Sequence, residues 1–337
     1  MTIPKIAING FGRIGRSFFR AAFGHPDFDI VAVNDLTSPE NLCYLLKYDT
    51  AYGRYDKKVE TRERSLVIDG KEVEILSEKD PAALPWRDRG IDIVIESTGF
   101  FASDEKAQAH LDAGARRVVI TAPAKGERVT TALVGANDDR FQSAHPITSN
   151  ASCTTNSVVP VLALLNEGFG IERAAMTTVH GYTATQKLVD GPDEKDMRRG
   201  RAAAANIIPT STGAAESVTK ALPELEGKFT GTALRVPVLT GSLSITTAVL
   251  ARPASTGDIN NFFRQKAAEP RWAPIVKICE DPIVSSDIVG EPHGAIIDLT
   301  LTDTIGNLAT VFSWYDNEAG YTATLIEHVR RVAQFLN

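Results

Sequence analysis

Over roughly the first 150 residues, short apolar runs alternate with stretches whose apolar positions recur at helical spacing. Lys5-Ile6-Ala7-Ile8-Asn9 predicts a first strand, Arg16 to Phe23 an amphipathic helix, and Phe28 to Asp35 a strand buried on both faces. Leu66-Val67-Ile68 and Val73-Glu74-Ile75-Leu76 flank Asp69-Gly70, the signature of a hairpin. Ile91 to Ile95 predicts a strand running into Glu96-Ser97-Thr98-Gly99. A helix over Asp104 to Ala113 then leads to the strand Arg117 to Ile120, which ends at Thr121-Ala122-Pro123.

Beyond residue 150 the rhythm changes. Asn156 to Leu165 predicts a helix, with Pro160 in or near its first turn, where a missing N–H costs least. Ala174 to His180 predicts a strand, and an irregular segment follows from Gly181 to Arg201, long enough to suggest a functional loop. Ala233 to Val238, Ser242 to Ala251, Ala295 to Thr302 and Leu308 to Trp314 read as strands of an antiparallel sheet. The alternation in Ser242-Leu243-Ser244-Ile245-Thr246 suggests one buried face. Thr322 to Phe335 has apolar positions at helical spacing.

Gly10-Phe11-Gly12-Arg13-Ile14-Gly15 lies directly between the first strand and the first helix, which gives a G-x-G-x-x-G match a mechanism. Gly10 permits a tight turn, Gly12 lets backbone approach a pyrophosphate, and Gly15 allows close helix–strand packing, with the helix N-terminus facing the anion. Asp35 stands twenty residues after Gly15, the position of a ribose-binding carboxylate. Such a carboxylate repels a 2′-phosphate, and no Arg or Lys between Leu36 and Leu46 offsets that repulsion, so NAD is favoured over NADP. The carboxyl ends of parallel strands line the ligand crevice, which places Asp35, Ser97, Thr98, Gly99 and Thr121 around one cofactor. The expected architecture is therefore α/β, an N-terminal Rossmann-type doubly wound sheet plus an α+β catalytic domain with a mainly antiparallel sheet. The expected ranges are 1–151 for the NAD-binding domain, 152–317 for the catalytic domain and 318–337 for a C-terminal helix packing back on the first domain.

Ser152-Cys153-Thr154-Thr155-Asn156 puts a cysteine at the start of a predicted helix, where unpaired N–H groups and the dipole favour a thiolate. His180, at the end of an apolar run, is available as the paired base of a sulfur nucleophile. Cys43 and Cys279 read as packed core thiols. Three cysteines form no disulfide framework and fit a reducing compartment, and no Cys/His cluster has zinc spacing, so no metal is expected. A net charge of −6 argues against nucleic acid as a main partner. Arg198-Arg199-Gly200-Arg201 is a local exception that suits either a solvated loop or a phosphorylated substrate. No apolar run approaches a membrane span and no leader precedes the first strand, so a cytoplasmic setting is expected.

Longer strings carry a resemblance. Ile8 to Arg16, Leu45-Leu46-Lys47-Tyr48-Asp49, Glu96 to Phe100, Ser149 to Asn156, Thr185-Gln186-Lys187, Pro209 to Ala215 and Ser313 to Glu318 resemble phosphorylating glyceraldehyde-3-phosphate dehydrogenases, end to end. The resemblance implies a glycolytic homotetramer using NAD, glyceraldehyde 3-phosphate and inorganic phosphate. Cys153 would form a hemithioacetal and then a thioester, with His180 as base. Thr183 and Arg235 match residues holding the substrate's phosphate. Ser152, Thr154, Thr212 and Gly213 match the site of attacking phosphate, with Arg199 a further candidate. Asn317 matches the residue fixing the nicotinamide amide, and Tyr321 its neighbour. Lys79 matches a basic position near the adenine, and equally reads as a solvated lysine. Ala319 stands where the family pattern has tryptophan, implying altered packing and weaker cofactor binding with the chemistry retained. Ser157 replaces a frequent second cysteine, and Thr240-Gly241 and Glu216 also differ from the pattern. The nearest alternative is erythrose-4-phosphate dehydrogenase; a binding relative without catalysis is the alternative from another class.

Overall fold

The computed structural model describes residues 3–194 and 196–336, and the chain divides into two compact units. The first holds the described residues of 1–132, 138–151 and 325–337; the second holds 133–137 and 152–324. These differ from the expected ranges in two places. Leu133–Asn137 belongs with the second unit, and so do residues 318–324, at the start of the C-terminal helix.

The first unit is built on a nine-stranded sheet. Its strands are β1 (Lys5–Asn9), β2 (Asp29–Asn34), β3 (Val59–Arg62), β4 (Ser65–Ile68), β5 (Lys71–Leu76), β6 (Ile93–Glu96), β7 (Arg117–Ile120), β8 (Val129–Thr131) and β9 (Ile147–Ser149). They lie in the order β8-β9-β7-β6-β1-β2-β5-β4-β3. All pairs from β8 to β5 are parallel, and the expected hairpin β4–β5 and the edge pair β3–β4 are antiparallel. Ile6, Ala7, Ile8, Ile93, Val94 and Ile95 are completely buried, which is why β1 and β6 read as unbroken apolar runs. β1 connects forward to β2 on one side and has β6 on the other, so the strand order reverses beside β1. That reversal opens a crevice at the carboxyl ends of these strands.

Helix α1 (Arg13–Ala22) starts three residues earlier than expected, because Gly12 already serves as its N-cap. It buries Phe18, Phe19 and Ala22, and Phe19 meets the ring of Phe11 edge-on at 5.4 Å. Helix α2 (Asp104–Asp112) is capped by Ser103. Within this unit the end of the C-terminal helix is tied down by Arg117, which donates to the Phe335 carbonyl at 2.6 Å, and by Arg330, which pairs with Asp27.

The second unit has a seven-stranded sheet. Its strands are β10 (Ile171–Gly181), β11 (Ile208–Thr210), β12 (Phe229–Val236), β13 (Ser242–Leu250), β14 (Val276–Cys279), β15 (Ala295–Ile305) and β16 (Leu308–Tyr315). The order is β11-β12-β10-β13-β16-β15-β14. The sheet is mainly antiparallel, but β10–β12 and β14–β15 are parallel. Helix α3 (Cys153–Phe169) packs on β13, β15 and β16. It begins at Cys153 rather than Asn156 because Ser152 accepts a hydrogen bond from the Thr155 N–H, and Pro160 therefore falls in mid-helix, not near the first turn. Helices α4 (Ala214–Ala221) and α5 (Ala319–Ala333) flank later parts of the site.

The alternation in β13 is real but its polarity is inverted. Ser242, Ser244 and Thr246 are buried, while Leu243 and Ile245 are half-exposed. Two of these hydroxyls have partners: Ser242 donates to Asn317 at 2.9 Å, and Ser244 lies 3.0 Å from Ser157 of α3, which donates to Ser313 at 3.2 Å, whereas the Thr246 hydroxyl has none among the described residues. Cys43 is buried as expected, but Cys279 is only half-buried, since its strand β14 is an edge of the sheet.

Candidate active site

In the first unit the glycine turn is shaped by two different needs. Gly10 has φ +91°, and a Cβ there would fall 2.7 Å from the Thr98 nitrogen. A Cβ on Gly15 would sit 2.2 Å from the Gly10 carbonyl oxygen, whereas one on Gly12 would meet nothing within 4 Å. Gly10 and Gly15 are thus required by the fold, and Gly12 leaves room for something outside it. No side chain caps α1 at Gly12, so its positive end is open to an anion.

Beside the turn is a cleft of about 590 Å³ lined by Gly10, Gly12, Asp35, Lys79, Ser97 and Thr98, all expected from sequence. Asp35 accepts from the Phe11 N–H at 2.7 Å and from the Thr37 N–H at 2.9 Å, which fixes its carboxylate with lone pairs to spare for ribose hydroxyls. Ser97 donates to the Gly10 carbonyl at 2.6 Å. The other expected residues do not line the cleft. Phe11 is buried, Ile14 is half-buried in the first turn, and Gly99 forms a left-handed turn. Thr121 donates to the Glu96 carbonyl at 3.1 Å. The Arg13 guanidinium pairs with Asp49 and lies over the Tyr52 ring, so what it offers an anion at this loop is backbone.

Sequence reasoning missed Asn9, Asn34, Leu36, Glu78, Phe100 and Phe101, which also line the cleft. Asn9 and Asn34 end β1 and β2, so the strand-end rule could have found them. Behind them lies the fully buried Glu96. It accepts from Asn9 at 2.6 Å and from the Thr98 N–H at 2.8 Å, and His110 Nε2 stands 3.1 Å away. Trp86 donates to His110 Nδ1 at 3.0 Å, which puts the imidazole proton on Nε2, facing Glu96.

In the second unit, the Cys153 Sγ lies 3.3 Å from His180 Nε2. Cys153 is the first residue of α3, and His180 is near the end of β10. His180 and Arg235 are register partners across the parallel pair β10–β12. Arg235 Nη1 approaches His180 Nδ1 at 2.6 Å and the Gly181 carbonyl at 3.1 Å. Its Nε is buried with no hydrogen-bond partner among the described residues. Tyr315 meets His180 edge-on at 5.9 Å, and its hydroxyl lies 3.0 Å from Thr154 and 2.7 Å from Thr178. Burial holds that phenol in its neutral form.

The electrostatics differ from the expected thiolate. Burial pushes the Cys153 thiol above its ordinary value, against the pull of Arg235 and the Thr154 N–H. Burial and the Arg235 charge push His180 down to about 3. Both shifts run against an ion pair, because desolvation opposes charge on either group more than the helix end favours it on the sulfur.

Residues 4–104 match the NAD-binding domain of glyceraldehyde 3-phosphate dehydrogenases, and residues 152–317 match their C-terminal domain. Glyceraldehyde-3-phosphate dehydrogenase of Mycobacterium avium is 50% identical along the whole of both chains. That of Borreliella burgdorferi is 48% identical over 98% of this chain and 100% of its own. The chain belongs to the glyceraldehyde-3-phosphate dehydrogenase family. As a member of that family it is an NAD-dependent oxidoreductase of glycolysis. The open space at Gly12, the uncapped α1 and the Asp35 carboxylate all fit that dinucleotide.

The remaining family positions are placed as follows. Ser152 spends its hydroxyl on the α3 cap, and the Thr154 hydroxyl turns inward to Tyr315, so both present backbone more than side chain. Thr183 closes a small turn by donating its N–H to Gln186 Oε1 at 2.8 Å. Arg199, in the 3₁₀ turn Met197–Gly200, is close enough for its charge to depress Arg235. Thr212 accepts from the Ala214 N–H, and Gly213 caps α4 without a side chain. Asn317 accepts from Ser242 at 2.9 Å, and Tyr321 is buried in α5. Thr240 lies 2.9 Å from Asp316 Oδ1 and 3.4 Å from Asn317 Oδ1, so this departure from the family pattern supports the Asn317 turn. Glu216 pairs with Lys220 on the surface of α4. Among the described residues no helix is long and apolar enough to cross a membrane.

Proposed function

We propose that this family member oxidises D-glyceraldehyde 3-phosphate with NAD and inorganic phosphate to 1,3-bisphosphoglycerate. The observation that carries the reading is a thiol at a helix N-terminus, 3.3 Å from an imidazole that is itself in contact with a guanidinium. Residues 1–151 would bind the nucleotide, 152–317 would carry the chemistry, and the helix in 318–337 would pack back on the first domain. Gly10, Gly12, Asp35 and Lys79 would hold NAD, with Asn317 taking the nicotinamide amide; when bound, NAD supplies the hydride acceptor.

The chain's own residues do the rest. His180 takes the thiol proton as Cys153 Sγ attacks the aldehyde carbon, giving a hemithioacetal. The same imidazole, returning that proton, stabilises the oxygen on which charge develops. As the carbon gives up its hydride, His180 takes the hydroxyl proton, and a thioester remains on Cys153. Phosphate then attacks the thioester carbonyl and the sulfur leaves as thiolate, so the oxidation's free energy is retained in the acyl phosphate. Arg235 and Thr183 would hold the substrate's phosphate, and the N-termini of α3 and α4 (Ser152, Thr154, Thr212, Gly213), with Arg199, the attacking one. We further propose a homotetramer in the cytoplasm.

The test is NADH absorbance with aldehyde, NAD and phosphate. A turnover that depends on phosphate, with kcat/KM higher for glyceraldehyde 3-phosphate than for erythrose 4-phosphate, is expected. Well-folded protein that stays silent sinks the reading, and the reverse preference moves it to erythrose 4-phosphate.

A further inference from the structure

Ser242 is the first residue of β13, which lies between β10 and β16 in the sheet. Both neighbouring strands run out beside it. β10 ends at Gly181, and β16 ends at Tyr315, the register partner of Ser242 and two residues before Asn317. Ser242 is 1% exposed, and a buried hydroxyl has to be paired or cost stability. It is paired twice. Its oxygen accepts from the Gly181 N–H at 3.2 Å, and its hydrogen goes to Asn317 Oδ1 at 2.9 Å.

The direction of this short relay is fixed at its root. A backbone N–H can only donate, so the Ser242 oxygen accepts there and keeps one hydrogen to give. Among the described residues, Asn317 is the only acceptor that hydrogen reaches. The Asn317 amide therefore turns its oxygen toward Ser242, with Thr240 adding a longer contact at 3.4 Å. Its Nδ2 makes no hydrogen bond among the described residues. The backbone of the turn is held separately. Asp316 accepts from Thr240 and from the N–H groups of Gly290, Glu318 and Ala319. Asp316 fixes where the turn sits, and Ser242 fixes how the Asn317 side chain is rotated.

We infer that Ser242 is a positioning residue for the cofactor: it sets the rotation of the Asn317 amide, so that Nδ2 and not the oxygen is offered to the carbonyl of the nicotinamide amide. The inference rests on the reading that Asn317 takes that amide. An Asn side chain free to flip would spend binding energy on being ordered, and one already oriented does not. Gly181 directly follows His180, so the same hydroxyl ties the nicotinamide-holding side chain to the strand that carries the base.

The experiment titrates full-length protein by calorimetry with NAD and with ADP-ribose, which lacks the nicotinamide. For Ser242→Ala the NAD affinity is expected to fall about three- to tenfold, the worth of one well-placed hydrogen bond, with ADP-ribose affinity within about twofold of the wild type. The Gly181 N–H also loses its acceptor in that variant, but any stability this costs weighs on both ligands alike, so the ratio of the two affinities reads the amide. Asn317→Ala is expected to show the same selective loss. Adding Ser242→Ala to it is expected to cost NAD nothing further, because the hydroxyl then has no amide to orient. No selective loss in Ser242→Ala, or a selective loss that persists in the Asn317→Ala background, overturns the positioning role and leaves the Asn317 reading intact. An unchanged ratio in Asn317→Ala overturns that reading, and the inference with it.

Discussion

The cleft of the first unit and the thiol site of the second are built from different materials. The cleft rests on backbone features, a left-handed glycine, an uncapped helix end and the ends of adjacent strands, and its lining comes from four short stretches of chain, 9–12, 34–36, 78–79 and 97–101. The thiol site is made of side chains brought from Cys153, His180, Arg235 and Tyr315 by helix capping and by strand register. A backbone site tolerates changes that spare its turn and fails sterically when they do not. A side-chain site fails chemically, with the fold left standing.

Several measurements can break or sharpen that contrast. Removing the nucleophile in Cys153→Ala is expected to lower kcat by about four orders of magnitude or more, while NAD affinity from calorimetry stays within about twofold. A large loss of NAD affinity would show that the two sites are not separable. Gly15→Ala places a Cβ 2.2 Å from the Gly10 oxygen and is expected to cost about 1–3 kcal/mol in denaturant unfolding. Gly12→Ala, with no neighbour to meet, is expected to weaken NAD without moving the unfolding midpoint. Equal midpoints for the two variants would remove the distinction drawn between them.

Glu96→Gln tests the buried support of the cleft. An amide nitrogen facing the Asn9 amide or the His110 N–H leaves donors opposed, and a loss of about 1–3 kcal/mol with weaker NAD binding is expected. Unchanged NAD affinity in a destabilised variant would make Glu96 part of the core alone. Acid stability gives a graded test. Burial pushes His328 from 6.5 down to about 3. Between those values the unfolded chain binds a proton that the folded chain refuses. Stability therefore falls as pH drops below about 6.5, by up to about 1.4 kcal/mol per pH unit from this group. His328→Gln is expected to flatten that dependence in thermal melts at pH 4 to 7; an unaltered slope would acquit the residue. The smallest effect is expected from Ala319→Trp, a position half-buried at the first turn of α5. It should tighten NAD modestly, and unchanged affinity and stability would show that the missing aromatic is immaterial.

Legibility followed the same division. The glycine turn and Asp35 were readable because each depends on local backbone geometry and a fixed spacing. Asn9 and Asn34 stand at strand ends, where their position was a usable signal, but what they bond, and the buried Glu96 behind them, has no local signature in the sequence. Cys153 and His180 are legible as residues, whereas the desolvation that opposes the expected thiolate is not. Helix position can be read from sequence, whereas desolvation and the approach of Arg235 arise from β10–β12 pairing. Pro160 was misplaced because the Ser152 cap moved the helix start back. The inverted face of β13 was hidden for a related reason: Ser244 is satisfied by the Ser157 hydroxyl of α3 and the Ser313 carbonyl of β16, and Ser242 by the Asn317 amide oxygen.

One helical turn beyond the nucleophile, Ser157 is sealed among Ser244 and Ser313. If peroxide converts Cys153 to a sulfenic acid, that turn of helix holds no second sulfur to trap it as a disulfide. Rescue then depends on a small thiol diffusing in from the medium before a second oxidant molecule makes the damage permanent. The redox resilience of this chain is accordingly set by the thiol pool around it, not by its own covalent structure.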